Sequence, residues 1–450
     1  MKKLLLILLC LPMIGFGQSW ERFISLVDSN DYFSRYGEQT QDGGYIITGG
    51  VSNTPTSLGS SDNHLFLLKI DSQGDAVWNK IYPNINGTTM GGIVKQTFDS
   101  GYIVTANEER YIDSIGHPLI IKTNSSGDTL WTRYFNWISY GQDAPSFPLH
   151  FDVEQTTDSG FIINFNSHLI KTNNQGDTLW TKTYGGFSNS GRNISQTTDG
   201  GYIFISSKLS SFPSAPPFTT FTIEAYLTKL DSQGDTLWKK IFDADSVVSA
   251  VSVEQTTDGG YIISGNRGNN IFDPYTSSPY LTKTDSLGNI LWTKTYPYYF
   301  LSSLSSAQQT TDGGYITLMV QLVDTISYET NIILLKTNNL GDTIWTKRIE
   351  VGDSLQDVGH IEQTIDGGYF LVASIEGAAT KEYGRGIIYL IKTDGNGNVT
   401  STFNISKINT SKGKLLKIVD ILGREVNEKR NTPLFYIYSD GTVEKKIIIE

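Results

Sequence analysis

Cysteine is almost absent. Cys10 stands alone in a chain of 450 residues, so neither a disulfide framework nor a cysteine-ligated metal is available to the fold. Histidine is nearly as scarce: His64, His117, His150, His168 and His360 are the full complement, and none stands at a ligand spacing such as H-x-x-x-H. His64 and His117 hold the same place in two successive units, five residues before a lysine, which reads as packing. Neither a metal nor a cofactor is expected. A basic surplus is missing too: the formal charge is -11 and no basic cluster precedes the last fifty residues, which argues against nucleic acid as a partner. No phosphate loop, dinucleotide fingerprint or nucleophile elbow occurs. The turns "DSQGD" and "DGNGN" are five-residue hairpins, too short for a twelve-residue calcium loop ending in glutamate. No long stretch has helical spacing. The apolar run from Leu4 to Leu11 falls well short of the ~20 residues a membrane span needs.

What is present is strand and turn. Gly 44, Tyr 24 and Phe 21, with runs such as "YIIS", "LFLLKI" and "LWTKTY", give an all-β composition. The N-terminus, "MKKLLLILLCLPMIGFGQ", pairs Lys2 and Lys3 with the short apolar run and the small residues Gly15 and Gly17, which predicts an export signal over residues 1–17. The competing reading is a membrane anchor. Cys10 follows Leu9 rather than a small residue, so a lipid attachment there is disfavoured and the mature chain carries no thiol.

Three signatures then return in fixed order. Gln-Thr followed by a turn recurs at Gln39, Gln96, Gln155, Gln196, Gln255, Gln309 and Gln363, with the turn aspartates Asp42, Asp99, Asp158, Asp199, Asp258, Asp312 and Asp366. Gly-Gly or Ser-Gly follows each aspartate and supplies the positive-φ position of a tight hairpin. "KTDSLGN" at Lys283 to Asn289 has equivalents beginning at Lys69, Lys122, Lys171, Lys229, Lys336 and Lys392. "LWTKTY" completes the unit, its tryptophans Trp78, Trp131, Trp180, Trp238, Trp292 and Trp345 lying 53, 49, 58, 54 and 53 residues apart. Four strands per unit at this length, repeated seven times, predict a seven-bladed β-propeller over residues 18–403. Strand A ("VEQTT") is read as innermost, followed by B ("GYIIS"), C ("YLTKT") and D ("LWTKTY").

The seventh unit lacks a D strand of its own kind, because "NVTSTF" at Asn398 to Phe403 has no tryptophan. "SWERF" at Ser19 to Phe23 precedes the first unit and matches a D strand, so Trp20 is expected to complete the last blade and remove an exposed sheet edge. An unpaired leader is the alternative. The units resemble the propeller-type repeats of secreted bacterial proteins that carry sorting tails, in "QTTDGGYI" and "KTDSLGNILWTK".

Past Phe403 the composition shifts toward lysine and the strand spacing changes. Ile418 to Ile421, Phe435 to Tyr438 and Val443 to Ile449 read as strands, with Ser439-Asp440-Gly441 a hairpin turn. In "VDILGREV", "PLFYIY" and "DGTVEKKIIIE" the tail resembles the C-terminal sorting domain of the bacterial type IX secretion system. That resemblance implies a small β-sandwich-like module over residues 404–450, the type IX machinery as partner, export across the outer membrane, and a secreted or cell-surface location. An unrelated surface module is the alternative.

Two regions could carry function. The A–B and C–D turns are nearly uniform and share one rim, while the B–C and D–A connections vary and share the other, where binding residues of a rigid scaffold are expected. Its expected aromatics are Tyr111, Trp137, Tyr140, Phe212, Phe218, Phe272, Tyr275, Tyr296, Tyr298, Tyr299 and Phe300, with Pro216 and the acidic Glu108 and Glu109 beside them. Exposed rings stack on sugars or anchor proteins, whereas buried ones only tie down loops. The second region is the residue before each repeated glutamine: Glu38, Lys95, Glu154, Ser195, Glu254, Gln308 and Glu362. The four carboxylates Glu38, Glu154, Glu254 and Glu362 either ring the channel or end a solvated strand. The leading expectation is a binding or adhesion module for an extracellular glycan or protein, without required catalysis. A secreted carbohydrate-active enzyme using the channel carboxylates and a purely structural surface protein are the alternatives.

Overall fold

The computed structural model describes residues 19–25, 31–52, 63–82, 87–110, 116–135, 151–165, 168–184, 194–212, 220–242, 247–268, 278–296, 303–323, 330–351, 354–376, 387–399, 405–407, 415–420, 424–426, 434–438 and 443–446. The expected export signal, residues 1–17, lies outside this set. No helix among the described residues is long and apolar enough to cross a membrane.

Each repeat unit is one antiparallel sheet. Six sheets have four strands in sequence order, as in Asp31–Gln39, Tyr45–Ser52, Asn63–Ile70 and Ala76–Tyr82 of blade one. The seventh begins with Ser354–Gln363, Tyr369–Glu376 and Ile387–Thr393 and takes its fourth strand from the other end of the chain. There Trp20–Ser25 runs antiparallel to Ile387–Thr393, pairing Trp20 with Lys392 and Ile24 with Ile388. The chain is a seven-bladed β-propeller, and the Trp20 strand closes its ring as the repeat arithmetic requires. A fifth strand, Ile405–Lys407, lies past the expected end of the repeat and adds in parallel to the closing strand, with Phe23 opposite Ile405. Beyond it, Leu415–Val419, Leu434–Tyr438 and Val443–Lys446 form a three-stranded antiparallel sheet.

Burial explains the strand sequences. The B and C strands are covered on both faces by neighbouring blades, so they read as continuous apolar runs: Thr330–Thr337 is buried throughout. The D strands lie outermost and alternate exposed with half-buried residues, as Ile290–Thr295 does. Each fully buried Ile, Leu or Phe contributes about 1.5–3 kcal/mol, and these side chains form the interfaces between sheets.

Four repeated contacts join each blade to the next or brace its turns. First, the D-strand tryptophan lies under the C–D turn of the following blade and meets its B-strand aromatic edge-on, at 5.7 Å for Trp20–Tyr45 and 6.1 Å for Trp238–Tyr261. Gly74, at φ +83°, shows why that turn needs glycine: a Cβ there would sit 3.1 Å from the Trp20 ring. Second, the repeated glutamine staples the turns: its Oε1 accepts the backbone N–H of the preceding blade's A–B turn at 2.7–2.8 Å at all seven junctions, Gln39 to Ile365 included. Third, the strand-C lysine is buried and its ammonium meets the turn aspartate at 2.8–3.0 Å in every blade. Fourth, the basic residue two after each tryptophan reaches the next blade's C–D turn, for example Lys294 to Asp342 at 2.9 Å.

Candidate functional site

The A strands are innermost, and each touches the A strands on both sides around the axis. All seven contribute to one cavity of about 340 Å3. Side chains alternate along a strand, so the residue before each repeated glutamine and the residue two positions earlier share the axial face. The first of these positions was legible as a channel-lining series. The second, which supplies Tyr36, Asp152, Ser252, Ser306 and His360 to the same cavity, was not singled out, although the period of two would have found it. Glu38, Glu154 and Glu254 line the cavity, whereas Glu362 does not.

The glutamates turn out to be latches between blades. Glu38 accepts the backbone N–H of Gln96 at 2.6 Å, Glu154 that of Gln196 at 2.9 Å, Glu254 that of Gln309, and Glu362 that of Gln39. Gln308 makes the same bond to Gln363 at 2.7 Å with a neutral amide. Lysine has no acceptor, so Lys95 cannot latch its blade to the next; its ammonium instead pairs with Glu38 at 2.9 Å, donates to the Tyr36 hydroxyl and lies 4.8 Å from the Tyr36 ring centre. Tyr36 stacks in turn on His360 at 4.9 Å, and His360 Nδ1 lies 3.3 Å from Ser306 Oγ. Asp152 accepts from the backbone N–H groups of Val153 at 2.9 Å and Ile194 at 3.2 Å.

Burial pushes the carboxyls of Glu154 and Glu254 up to about 7, beyond what the backbone N–H of the next blade and the Lys95 charge take back. For Lys95, burial acts downward but Glu38 and then Tyr36 outweigh it, and the ammonium is held well above its usual range. Near neutrality the cavity therefore holds one firm cation and two acids close to half-ionised. The turn aspartates behave oppositely. Burial would raise Asp199, Asp258 and Asp312, but hydrogen bonds from the turn threonine and the strand-C lysine bring them down to about 2.

The rim aromatics Tyr111, Trp137, Tyr140, Phe272, Tyr275, Tyr298, Tyr299 and Phe300 lie outside the described residues, as do Pro216 and Phe218. Two other rim expectations are corrected. Tyr296 is buried and its hydroxyl donates to the Gly341 carbonyl at 2.9 Å, just as Tyr82 donates to Gly127 at 2.6 Å; each stands four residues past a tryptophan and is part of the repeat. Glu108 is buried within Tyr102–Arg110, paired across the sheet with His117. Among the described residues no group of three or more histidine, cysteine, aspartate or glutamate side chains is arranged to hold a metal.

No family model matches the chain, and no curated protein matches it. Similar solved structures include a protein of unknown function from Dyadobacter fermentans, 11% identical with a TM-score of 0.48, over 83% of this chain and 97% of that one. The β-propeller domain of the trilobed protease from Pyrococcus furiosus is 9% identical with a TM-score of 0.46, over 84% and 98% of the two chains. The NanB sialidase of Streptococcus pneumoniae is 10% identical with a TM-score of 0.44, over 82% of this chain and 69% of that one. Likeness at this level bears on neither ligand nor reaction, and the propeller rests on the sheet pairing above.

Proposed function

We propose that this chain is an exported propeller that binds an extracellular glycan or protein through its B–C and D–A rim, leaving the cell by the type IX secretion machinery that its tail addresses. The observation that carries the reading is the saturation of the opposite rim. There the glutamine, tryptophan, lysine and aspartate of every unit are engaged within the scaffold, which leaves diversity of side chains to the other rim and the axis. A scaffold built this way holds variable loops rigidly, which is how binding surfaces are commonly mounted. The lysine-flanked leader and the tail motif supply the export half of the proposal. Catalysis by the channel carboxylates is the weaker reading, since Glu38, Glu154, Glu254 and Glu362 each already accept a backbone N–H from the next blade.

The test is a glycan-array and polysaccharide binding screen of the mature chain beside a variant with Tyr298, Tyr299 and Phe300 replaced by alanine. Binding that the variant loses supports the rim as the site. Binding to no glycan removes the carbohydrate half of the proposal and directs the search to protein partners. Release of the chain into the medium, compared with and without residues 404–450, tests the export half: unchanged release would overturn it.

A further inference from the structure

Among the described residues the axial cavity shares none with the expected rim, and its chemistry exceeds what the architecture needs. Gln308 latches Gln363 with an amide at 2.7 Å, so a neutral side chain suffices at this position. Ser195 and Lys95 stand at the same position in their blades, so its residue type is not dictated by the ring. Glu154 and Glu254 nevertheless keep carboxyls where burial penalises the charge, and both face the cavity that Lys95 enters. Groups retained against their own solvation in a concave site are characteristic of ligand contacts.

We propose that this cavity binds a small neutral polyhydroxylated ligand, one sugar ring in size, between Glu154, Glu254 and Lys95. The class follows from the mixed lining. A free anion would meet Asp152, Glu154 and Glu254, and a free cation would meet the Lys95 ammonium. Hydroxyl groups satisfy both, donating to the carboxylates and accepting from the lysine, and hydrogen bonds to charged groups are the stronger kind. Ser195, Ser252 and Ser306 complete the wall, with the Ser252 hydroxyl bonded to Ser264 at 2.6 Å and that of Ser306 3.3 Å from His360 Nδ1. The volume of about 340 Å3 lies at the small end of ligand pockets and suits a single ring rather than a chain. No bond is made or broken in this binding.

Saturation-transfer NMR on the mature full-length chain tests the proposal, with free glucose, galactose, mannose and N-acetylglucosamine as probes and methylammonium and acetate as charged controls. At least one sugar is expected to bind. The Glu154→Gln/Glu254→Gln variant is expected to lose about tenfold or more in affinity while melting no lower than the parent at pH 8. Affinity is expected to rise from pH 6 to pH 8, as Glu154 and Glu254 ionise among Glu38, Asp152, Lys95, Tyr36 and His360. Binding of no sugar, equal binding by the double variant, or binding of a charged control in place of the sugars would each overturn it. The Tyr298/Tyr299/Phe300 alanine variant separates the two sites: it is expected to keep monosaccharide binding, and losing it would move the sugar to the rim.

Discussion

The turn rim and the axis are built from the same seven strands and obey opposite rules. On the turn rim the glutamine, tryptophan, lysine and aspartate repeat around the ring and each of them is engaged, because every blade must meet the next in the same way. One residue further along the inner strand the series becomes Glu, Lys, Glu, Ser, Glu, Gln, Glu, and only some members latch. Symmetry is kept where it assembles the ring. It is relaxed where the ring surrounds empty space, and that is where individual chemistry can accumulate.

The comparison breaks most visibly at the tryptophans. Trp20→Ala removes the edge contact with Tyr45, the packing on Gly74 and the indole bond to the Ser72 carbonyl at 3.0 Å, and is expected to destabilise by about 3–5 kcal/mol. Trp238→Ala should lose a similar amount by denaturant titration; a far larger loss at Trp20 would mean that the closing seam is not an ordinary junction. Next in size is Lys283→Met on the turn rim. It deletes an ammonium bonded to Asp258 at 2.9 Å and to the Thr284 carbonyl at 2.7 Å, an expected loss of about 1–3 kcal/mol in urea unfolding.

Axial substitutions should run the other way. Glu154 and Glu254 titrate near 7 in the fold, above the usual carboxylate value, so the folded chain holds their protons more tightly. Their contribution is full below that ordinary value and is lost as pH rises through about 7. Replacing either with glutamine, the side chain already found at Gln308, is expected to raise stability at pH 8 by on the order of 1–3 kcal/mol and to change little at pH 4. Thermal melts at both pH values check this, and a loss at pH 8 would mean the charge itself holds the seam. The aspartates lowered to about 2 give the opposite slope in acid, where their contribution is lost as pH falls through their folded value. Smallest is Ser100→Gly. Ser100 holds φ at 62° where most units place glycine, and the change should gain about 0.5–1 kcal/mol in melting experiments.

Much of the turn rim was legible in the sequence because its signals are local: a glycine after an aspartate, a tryptophan at blade-length spacing, a spare D strand before the first unit. The glutamine staple was not legible, since its partner sits on another blade and only closure of the ring brings Gln39 to Ile365. The channel series could be read from position, yet its role as latch depends on backbone groups that carry no residue signature. Tyr296 was misjudged by local company: it neighbours Tyr298, Tyr299 and Phe300, but its offset from Trp292 matches that of Tyr82 from Trp78. Glu108 sat beside Glu109 in the same way, although its strand runs on past it to Arg110.

The pairing of Trp20 with Lys392 makes the ring a gauge of its own length. The Trp20–Ser25 strand waits for one nearly at the other end of the described chain, so a chain interrupted anywhere before Ile387 leaves it without its antiparallel partner and the last blade incomplete. Such fragments would be conspicuous to proteases, whereas the finished circle brings both ends of the repeat together at a single seam.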